Sequence, residues 1–203
     1  MSRGTPEDRE GAGGGSRPWS HRRLALWLYG WAAGIYGLDR LTKFLAETYL
    51  QNRPPVHVIP GVVQLDYTTN PGGAFGVLGG ATWLFLTATL VVCVAIVAAS
   101  FNLPNRLIGA GLGLVLGGAL GNLTDRAVRG SGFSGRVVDF VDFRWWPVFN
   151  AADSGIVIGA GLILLSGFLR SSGERRSSGR GRPSGRGRPS DQGSPPGRRI
   201  SPE

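Results

Sequence analysis

Asp139 and Asp153 are the side chains in this sequence whose type and setting best suit chemistry. Two carboxylates held in a partly desolvated site cannot both ionise cheaply, so one keeps a proton. The ionised partner can then accept a proton from water, while the protonated one donates to the carbonyl of a peptide bond. That division of labour needs no metal ion, cofactor, Ser or Cys nucleophile. Neither a His-Glu-x-x-His nor a Gly-x-Ser-x-Gly motif occurs to offer another route. An aspartate pair is a weak signal by itself, and a cation site is its rival. Asp39, Lys43, Asn70, Asn122, Asp125, Arg126, Asp142 and Asn150 are the polar residues that would complete a site. Several have a plain structural reading. Asp39 and Lys43 stand four apart and can neutralise each other on one helical face. Asp125 and Arg126 can cap and anchor a helix end, and Asn150 suits a helix N-cap.

These residues are far apart along the chain, so membrane topology must bring them together. The mean hydropathy of +0.02 hides an apolar middle between two ends rich in Gly, Ser, Pro and Arg. Four apolar segments stand out: Leu24 to about Leu45, Ala81 to about Ser100, Leu107–Leu123 and Ala151–Leu169. The third and fourth are short against the ~20 residues that span a bilayer, and would need thinning or help from neighbours. Gly109, Gly113, Gly117 and Gly121 recur at every fourth position of the third, a small-residue stripe that lets another helix approach closely. No Lys-Ser/Thr follows to make it a phosphate loop. The first apolar stretch is too long for the core of a cleavable signal peptide and reads as a retained helix.

Orientation follows from Lys and Arg. Arg22 and Arg23 precede the first segment, Arg106 lies between the second and third, and Arg170, Arg175 and Arg176 follow the fourth. With four crossings these basic groups fall on one side, the cytoplasm, together with both termini. The loops at 46–80 and 124–150 are then outside. Val56–Tyr67 and Arg136–Trp146 read as short strands within them, and Trp145 and Trp146 suit the membrane–water interface. The expected fold is thus membrane all-α, four transmembrane helices with a small extracytoplasmic β-rich cradle. Asp39, Lys43, Asn70, Asn122, Asp125, Arg126, Asp139, Asn150 and Asp153 all come to the outer level. Ionisable residues beside hydrocarbon are costly, so their convergence there reads as functional.

The formal charge of +9 raises the possibility of a nucleic-acid partner. Much of the Arg, however, lies in the tail, where Ser-Gly-Arg-Gly-Arg-Pro occurs twice (178–183, 184–189) without aromatic residues for base stacking. The tail is read as a solvated segment at an anionic leaflet, with no specific nucleic-acid partner. Cys93, the single cysteine, excludes an intramolecular disulfide and reads as a packed membrane residue, while His21 and His57 read as surface residues. No metal site is expected. The organisation is a disordered leader (1–20), a transmembrane domain (21–170) and a disordered cytoplasmic tail (171–203).

Five blocks in fixed order give the pattern a family. They are Asp39-Arg40-Leu41-Thr42-Lys43, Asn70-Pro71-Gly72-Gly73-Ala74-Phe75-Gly76, Gly117-Gly118-Ala119-Leu120-Gly121-Asn122-Leu123-Thr124-Asp125-Arg126, Val137-Val138-Asp139-Phe140-Val141-Asp142-Phe143 and Phe149-Asn150-Ala151-Ala152-Asp153-Ser154. Over residues 24–170 the chain resembles bacterial lipoprotein signal peptidase (signal peptidase II). The resemblance implies an aspartic endopeptidase of the bacterial cell (cytoplasmic) membrane, acting at its outer face. Its substrates would be diacylglyceryl-modified prolipoproteins, cleaved before the lipidated cysteine. It assigns Asp139 and Asp153 as the catalytic dyad. Asn70, Asn122, Arg126 and Asn150 would orient substrate or dyad, and Asp39, Lys43 and Asp125 would support the site. Two positions depart from the family pattern, Arg40 where Gln is usual and Gly73 where Ala is usual. The stretch between Arg126 and Asp139 is also longer, which leaves Asp125 as an alternative first member of the dyad. Asp142 is a weaker rival, since strand alternation aims it away from Asp139. A monomer is expected, with membrane lipid and the precursor as its partners. The competing readings are a carrier or channel using the outer carboxylates, and a metal-dependent hydrolase.

Overall fold

The computed structural model describes residues 21–71, 82–130 and 135–179. The leader at 1–20, the Gly72–Gly76 part of the first outer motif, Ser131–Ser134 and the tail from Arg180 onward lie outside the described residues. The chain forms two compact units, Met1–Phe168 and Leu169–Glu203; of the second, the described residues continue a helix to Gly179.

In chain order the elements are α1 (His21–Leu50), β1 (Val56–Ile59), β2 (Val63–Asn70), α2 (Thr82–Ala99), α3 (Arg106–Val128), β3 (Val137–Asp142) and α4 (Ala151–Gly179), with a 3₁₀ turn over Ser100–Asn102. α1, α3 and α4 outlast their apolar segments, while α2 falls within its own. α3 runs on through Thr124–Val128, and α1 through Ala46–Leu50, where polar side chains find partners, Thr124 with Tyr36 and Glu47 with Arg129. The expected shortness of the third and fourth segments is therefore corrected. α3 offers a 23-residue span and α4 a span over Ala151–Ser171, at ~1.5 Å per residue enough for a hydrocarbon core of about 30 Å without thinning.

Among the described residues, three helices are long and apolar enough to cross a membrane: Trp83–Asn102, Arg106–Val128 and Ala151–Ser171. α1 is long enough, but Tyr, Trp and Gly residues and the charges from Asp39 to Glu47 dilute its hydropathy. On α2 the apolar side chains Trp83, Leu90, Val91 and Val94 are exposed, while Cys93 and Ile96 are buried. The core lies where α1, α2 and α3 meet, built from Leu24, Leu28, Ala32, Cys93, Ile96, Leu103, Leu116 and Ala119.

α3 is the central post. A Cβ on Gly113 or Gly117 would overlap the backbone carbonyl of Leu28 or Ala32 in α1, so these positions permit the close approach. A second stripe, not read from the sequence, faces α4. There a Cβ on Gly111 or Gly118 would strike the carbonyl of Gly159 or Ala152.

The strands form one antiparallel sheet in the order β1-β2-β3. The β1–β2 connection is Ile59-Pro60-Gly61-Val62, closed by Val62 N–H donating to Ile59 O at 3.0 Å, with Gly61 at φ +76°. Proline followed by a glycine of positive φ is the chemistry of a type II turn. In the β2–β3 pairing, Thr68 lies opposite Asp139, Asn70 opposite Val137 and Gln64 opposite Asp142. The sheet thus carries Asn70 and Asp139 to the start of α4.

Candidate active site

Asp153 owes its position to the first turn of α4. Asn150 caps that helix, its Oδ1 accepting from Asp153 N–H at 2.9 Å, while Asp153 Oδ2 accepts from Asn150 N–H at 3.2 Å. This reciprocal box satisfies two backbone donors and fixes the Asp153 rotamer. The other carboxylate oxygen, Oδ1, accepts from Asn122 Nδ2 of α3 at 2.8 Å.

Asp139 arrives from β3 and is only 3% exposed. Asn150 Nδ2 donates to its Oδ1 at 2.6 Å, and the Asn70 side chain hydrogen-bonds to it from β2. Burial and, secondly, the charge of nearby Asp153 push the Asp139 carboxyl up to about 7, against the pull of Asn150, Asn70 and Lys43. This carboxyl therefore keeps its proton to a higher pH than an ordinary aspartate. Asn150, fully buried, ties the pieces together; its Nδ2 also reaches Val138 O and Asn122 Oδ1, each at 3.2 Å.

Beneath the two aspartates lies a charged layer. Lys43 Nζ sits 2.9 Å from Asp39 Oδ2, 2.8 Å from Asp125 Oδ2 and 2.9 Å from Asn122 Oδ1, and Asp39, Lys43 and Asp125 are all fully buried. The contact to Asp39 Oδ2 is ionic without hydrogen-bond alignment. Arg40 and Arg129 also contact Asp125 Oδ1, at 2.5 and 3.2 Å, and Arg129 forks onto both Glu47 oxygens at 2.9 and 3.0 Å. Three carboxylates thus meet three cations, and the connected layer is neutral.

The outcome for each sequence-derived residue is direct. Asn70, Asn122, Asn150, Asp139 and Asp153 come together, and Asp39, Lys43 and Asp125 lie immediately behind them. Asp125 contacts cations and backbone and lines neither cavity described below. Arg126 stands slightly apart: its Nη1 donates to Pro71 O at 3.3 Å and Gly135 O at 3.5 Å, clipping the ends of two connections. Asp142 faces another way, accepting from Gln64 Nε2 at 2.8 Å and from Arg144 N–H at 2.6 Å, with Arg144 Nη1 closing the ring onto Gln64 Oε1 at 3.1 Å.

Above the pair opens a cavity of about 320 Å³, lined by Asn70, Asp139 and Asp153 and walled by Trp146, Phe149 and Val157. A more apolar groove of about 490 Å³ shares Asp153, Trp146, Phe149 and Val157 and adds Phe143, Trp145 and Ile158. The aromatic wall is braced internally. Phe143 stacks on Phe149 with centroids 5.5 Å apart, and Trp145 meets Trp146 edge-on at 6.0 Å. Sequence reasoning assigned Trp145 and Trp146 to the interface and missed the wall, as well as Gln64, Arg144, Glu47 and Arg129. Only the four-residue spacing of Asp125 and Arg129 signalled part of this. A polar pair opening onto an apolar trough suits hydrolysis of a bond in a segment whose flanks are apolar.

Comparison with known proteins gives the chain its family. The family model described as signal peptidase (SPase) II matches residues 31–169. The lipoprotein signal peptidase of Rhodococcus jostii is 46% identical over 71% of this chain and 73% of its own length. That of Mycobacterium avium is 41% identical over 68% and 76%. A solved bacterial membrane enzyme superposes with a TM-score of 0.64 at 28% identity, covering 74% of this chain and 91% of that one. A second does so at 0.59 and 29%, covering 71% and 92%. The apolar helices and these relatives make the chain a bacterial membrane protein. With a match that spans most of its length and takes in every residue of the site, the chain belongs to the signal peptidase II family.

Proposed function

We propose that this chain is an aspartic endopeptidase that removes signal peptides from diacylglyceryl-modified prolipoproteins, cleaving before the lipidated cysteine, with Asp139 and Asp153 as its catalytic pair. The observation that carries the reading is the pair itself: a buried carboxyl raised to about 7 beside a second carboxylate, both lining one cavity walled by aromatic side chains. Asp139 supplies the proton and Asp153 takes one from water. Water oxygen adds to the carbonyl carbon before the lipidated cysteine, Asp153 accepting its proton while Asp139 protonates the carbonyl oxygen. Collapse of that tetrahedral species breaks the C–N bond: the departing amine takes up the proton from Asp153, and one hydroxyl of the tetrahedral species returns a proton to Asp139, which leaves the carboxylic acid and restores the dyad. Asn70, Asn122, Arg126 and Asn150 orient the dyad and the peptide backbone.

In this reading α1 is a fourth crossing. Its buried stripe of Leu24, Leu28 and Ala32 joins the core shared with α2 and α3, and its basic start at Arg22 and Arg23 sits on the cytoplasmic side with both termini. The enzyme acts as a monomer on a lipidated precursor entering from the bilayer, without cofactor or nucleic acid. Against a metal-dependent hydrolase, no group of three His, Cys, Asp or Glu among the described residues is disposed to hold an ion. Against a carrier or channel, the carboxylates stay at one level and do not step through the helices.

The test is incubation of the purified protein with a diacylglyceryl-modified prolipoprotein. Wild type is expected to release the signal peptide, while Asp139→Asn and Asp153→Asn insert normally and release none. Full cleavage by either variant removes the dyad assignment.

A further inference from the structure

Each dyad aspartate is preceded by a residue whose backbone N–H is held by a buried carboxylate. Ala152 N–H donates to Asp39 Oδ1 at 3.0 Å, immediately before Asp153. Val138 N–H donates to Asp125 Oδ2 at 3.2 Å, immediately before Asp139. Lys43 Nζ lies between the two carboxylates, and its third contact fixes the amide of Asn122. With Oδ1 turned to the ammonium, Asn122 must present Nδ2 to Asp153. A flipped amide would set two donors together and aim an oxygen at the carboxylate.

We infer that Lys43, Asp39 and Asp125 form a positioning clamp that sets the separation of Asp139 and Asp153, each carboxylate gripping one strand or helix end and the ammonium locking both grips and Asn122. The inference rests on the dyad reading above. Three observations support it beyond ordinary ion pairing. The three side chains are fully buried, although replacement of such groups by apolar ones commonly costs no stability, so charge there calls for a role other than stability. The two grips fall on equivalent positions, one residue before each aspartate. The layer joins α1, α3, β3 and α4. Arg40 and Arg129 close Asp125 from the opposite side, so its remaining oxygen cannot swing away from Val138.

An amide at position 39 can offer its oxygen to the Ala152 N–H or to Lys43, but not to both; at position 125, where Oδ2 takes both Val138 N–H and Lys43, an amide that keeps them turns its NH2 onto Arg40 and Arg129. The clamp therefore predicts that Asp39→Asn and Asp125→Asn each lower kcat by about 100-fold, the cost of a misplacement near 1 Å. KM should stay within about threefold, because the apolar trough is untouched. In a cycle with Lys43→Met the losses should not multiply, since the members act as one unit. The experiment measures kcat, KM and melting temperature of the full chain in detergent with a diacylglyceryl-modified peptide, with Asp139→Asn and Asp153→Asn alongside. If those two variants cleave, the dyad reading fails. If they are inactive while Asp39→Asn and Asp125→Asn keep kcat within about threefold of wild type, or if the cycle is multiplicative, the clamp fails. Should a single variant not fold, Lys43→Met with Asp39→Asn, which removes one buried charge of each sign, is the deciding protein. A lowered kcat at unchanged KM supports the clamp, and wild-type kcat overturns it.

Discussion

Asp139 carries a measurable signature of its own. Its carboxyl titrates near 3.8 in an unfolded chain and at about 7 in the fold, so the folded protein binds the proton more tightly. A raised carboxyl contributes its stability below the unfolded value and loses it as pH rises to the folded one. Thermal stability is therefore expected to fall between about pH 4 and pH 7 by an amount on the order of 2–4 kcal/mol and to level off above. In Asp139→Asn this part of the fall should vanish. Differential scanning fluorimetry of both proteins across that range checks it, and an identical slope in the two would contradict the shift.

At the scale of the element, the glycines of α3 and the turn after β3 do different work. Gly117→Ala places a methyl on the Ala32 carbonyl and is expected to cost about 1–3 kcal/mol, read as a lowered melting temperature. Gly161→Ala in α4 meets nothing within 4 Å and should be neutral, or stabilising by up to about 1 kcal/mol. The turn carries Arg144 at φ +65°, a conformation that costs a non-glycine residue and is held here by the Asp142–Gln64–Arg144 ring. Asp142→Ala frees the base of the aromatic wall. Steady-state kinetics should show KM raised about three- to tenfold with kcat little changed, which separates Asp142 from the dyad.

For the whole molecule, the number of crossings is the property that orders everything else. Reporter fusions read it. With four crossings, a reporter placed before His21 and one after Gly179 both report cytoplasm, while one inserted at the exposed turn beside Gly61 reports the outer side. If α1 does not cross, the reporters before His21 and at Gly61 fall on the same side. The neutral charged layer is compatible with that crossing, because Asp39 and Lys43 lie paired and fully buried against α3.

Hydropathy and charge made three apolar helices, the β-rich connections between them and the convergence of Asp39, Asn70, Asn122, Asp139, Asn150 and Asp153 legible, because a bilayer sorts residues by local composition alone. The Gly109–Gly121 period announced one packed face of α3 for the same reason, since helical spacing is a local property. Tertiary structure alone decided that a second glycine face meets α4, that Asn150 is at once a helix cap and a ligand of Asp139, and that Trp146 and Phe149 wall the cavity. It also decided how far α1 and α3 run past their apolar stretches, since partners such as Glu47 for Arg129 lie far away in sequence. Hydrogen bonds such as Ala152 to Asp39 and Val138 to Asp125 depend on where distant backbones end up, and no local pattern encodes that. The sequence therefore points to which carboxylates share one site, and the packing of α1, α3, β3 and α4 determines how they are held there.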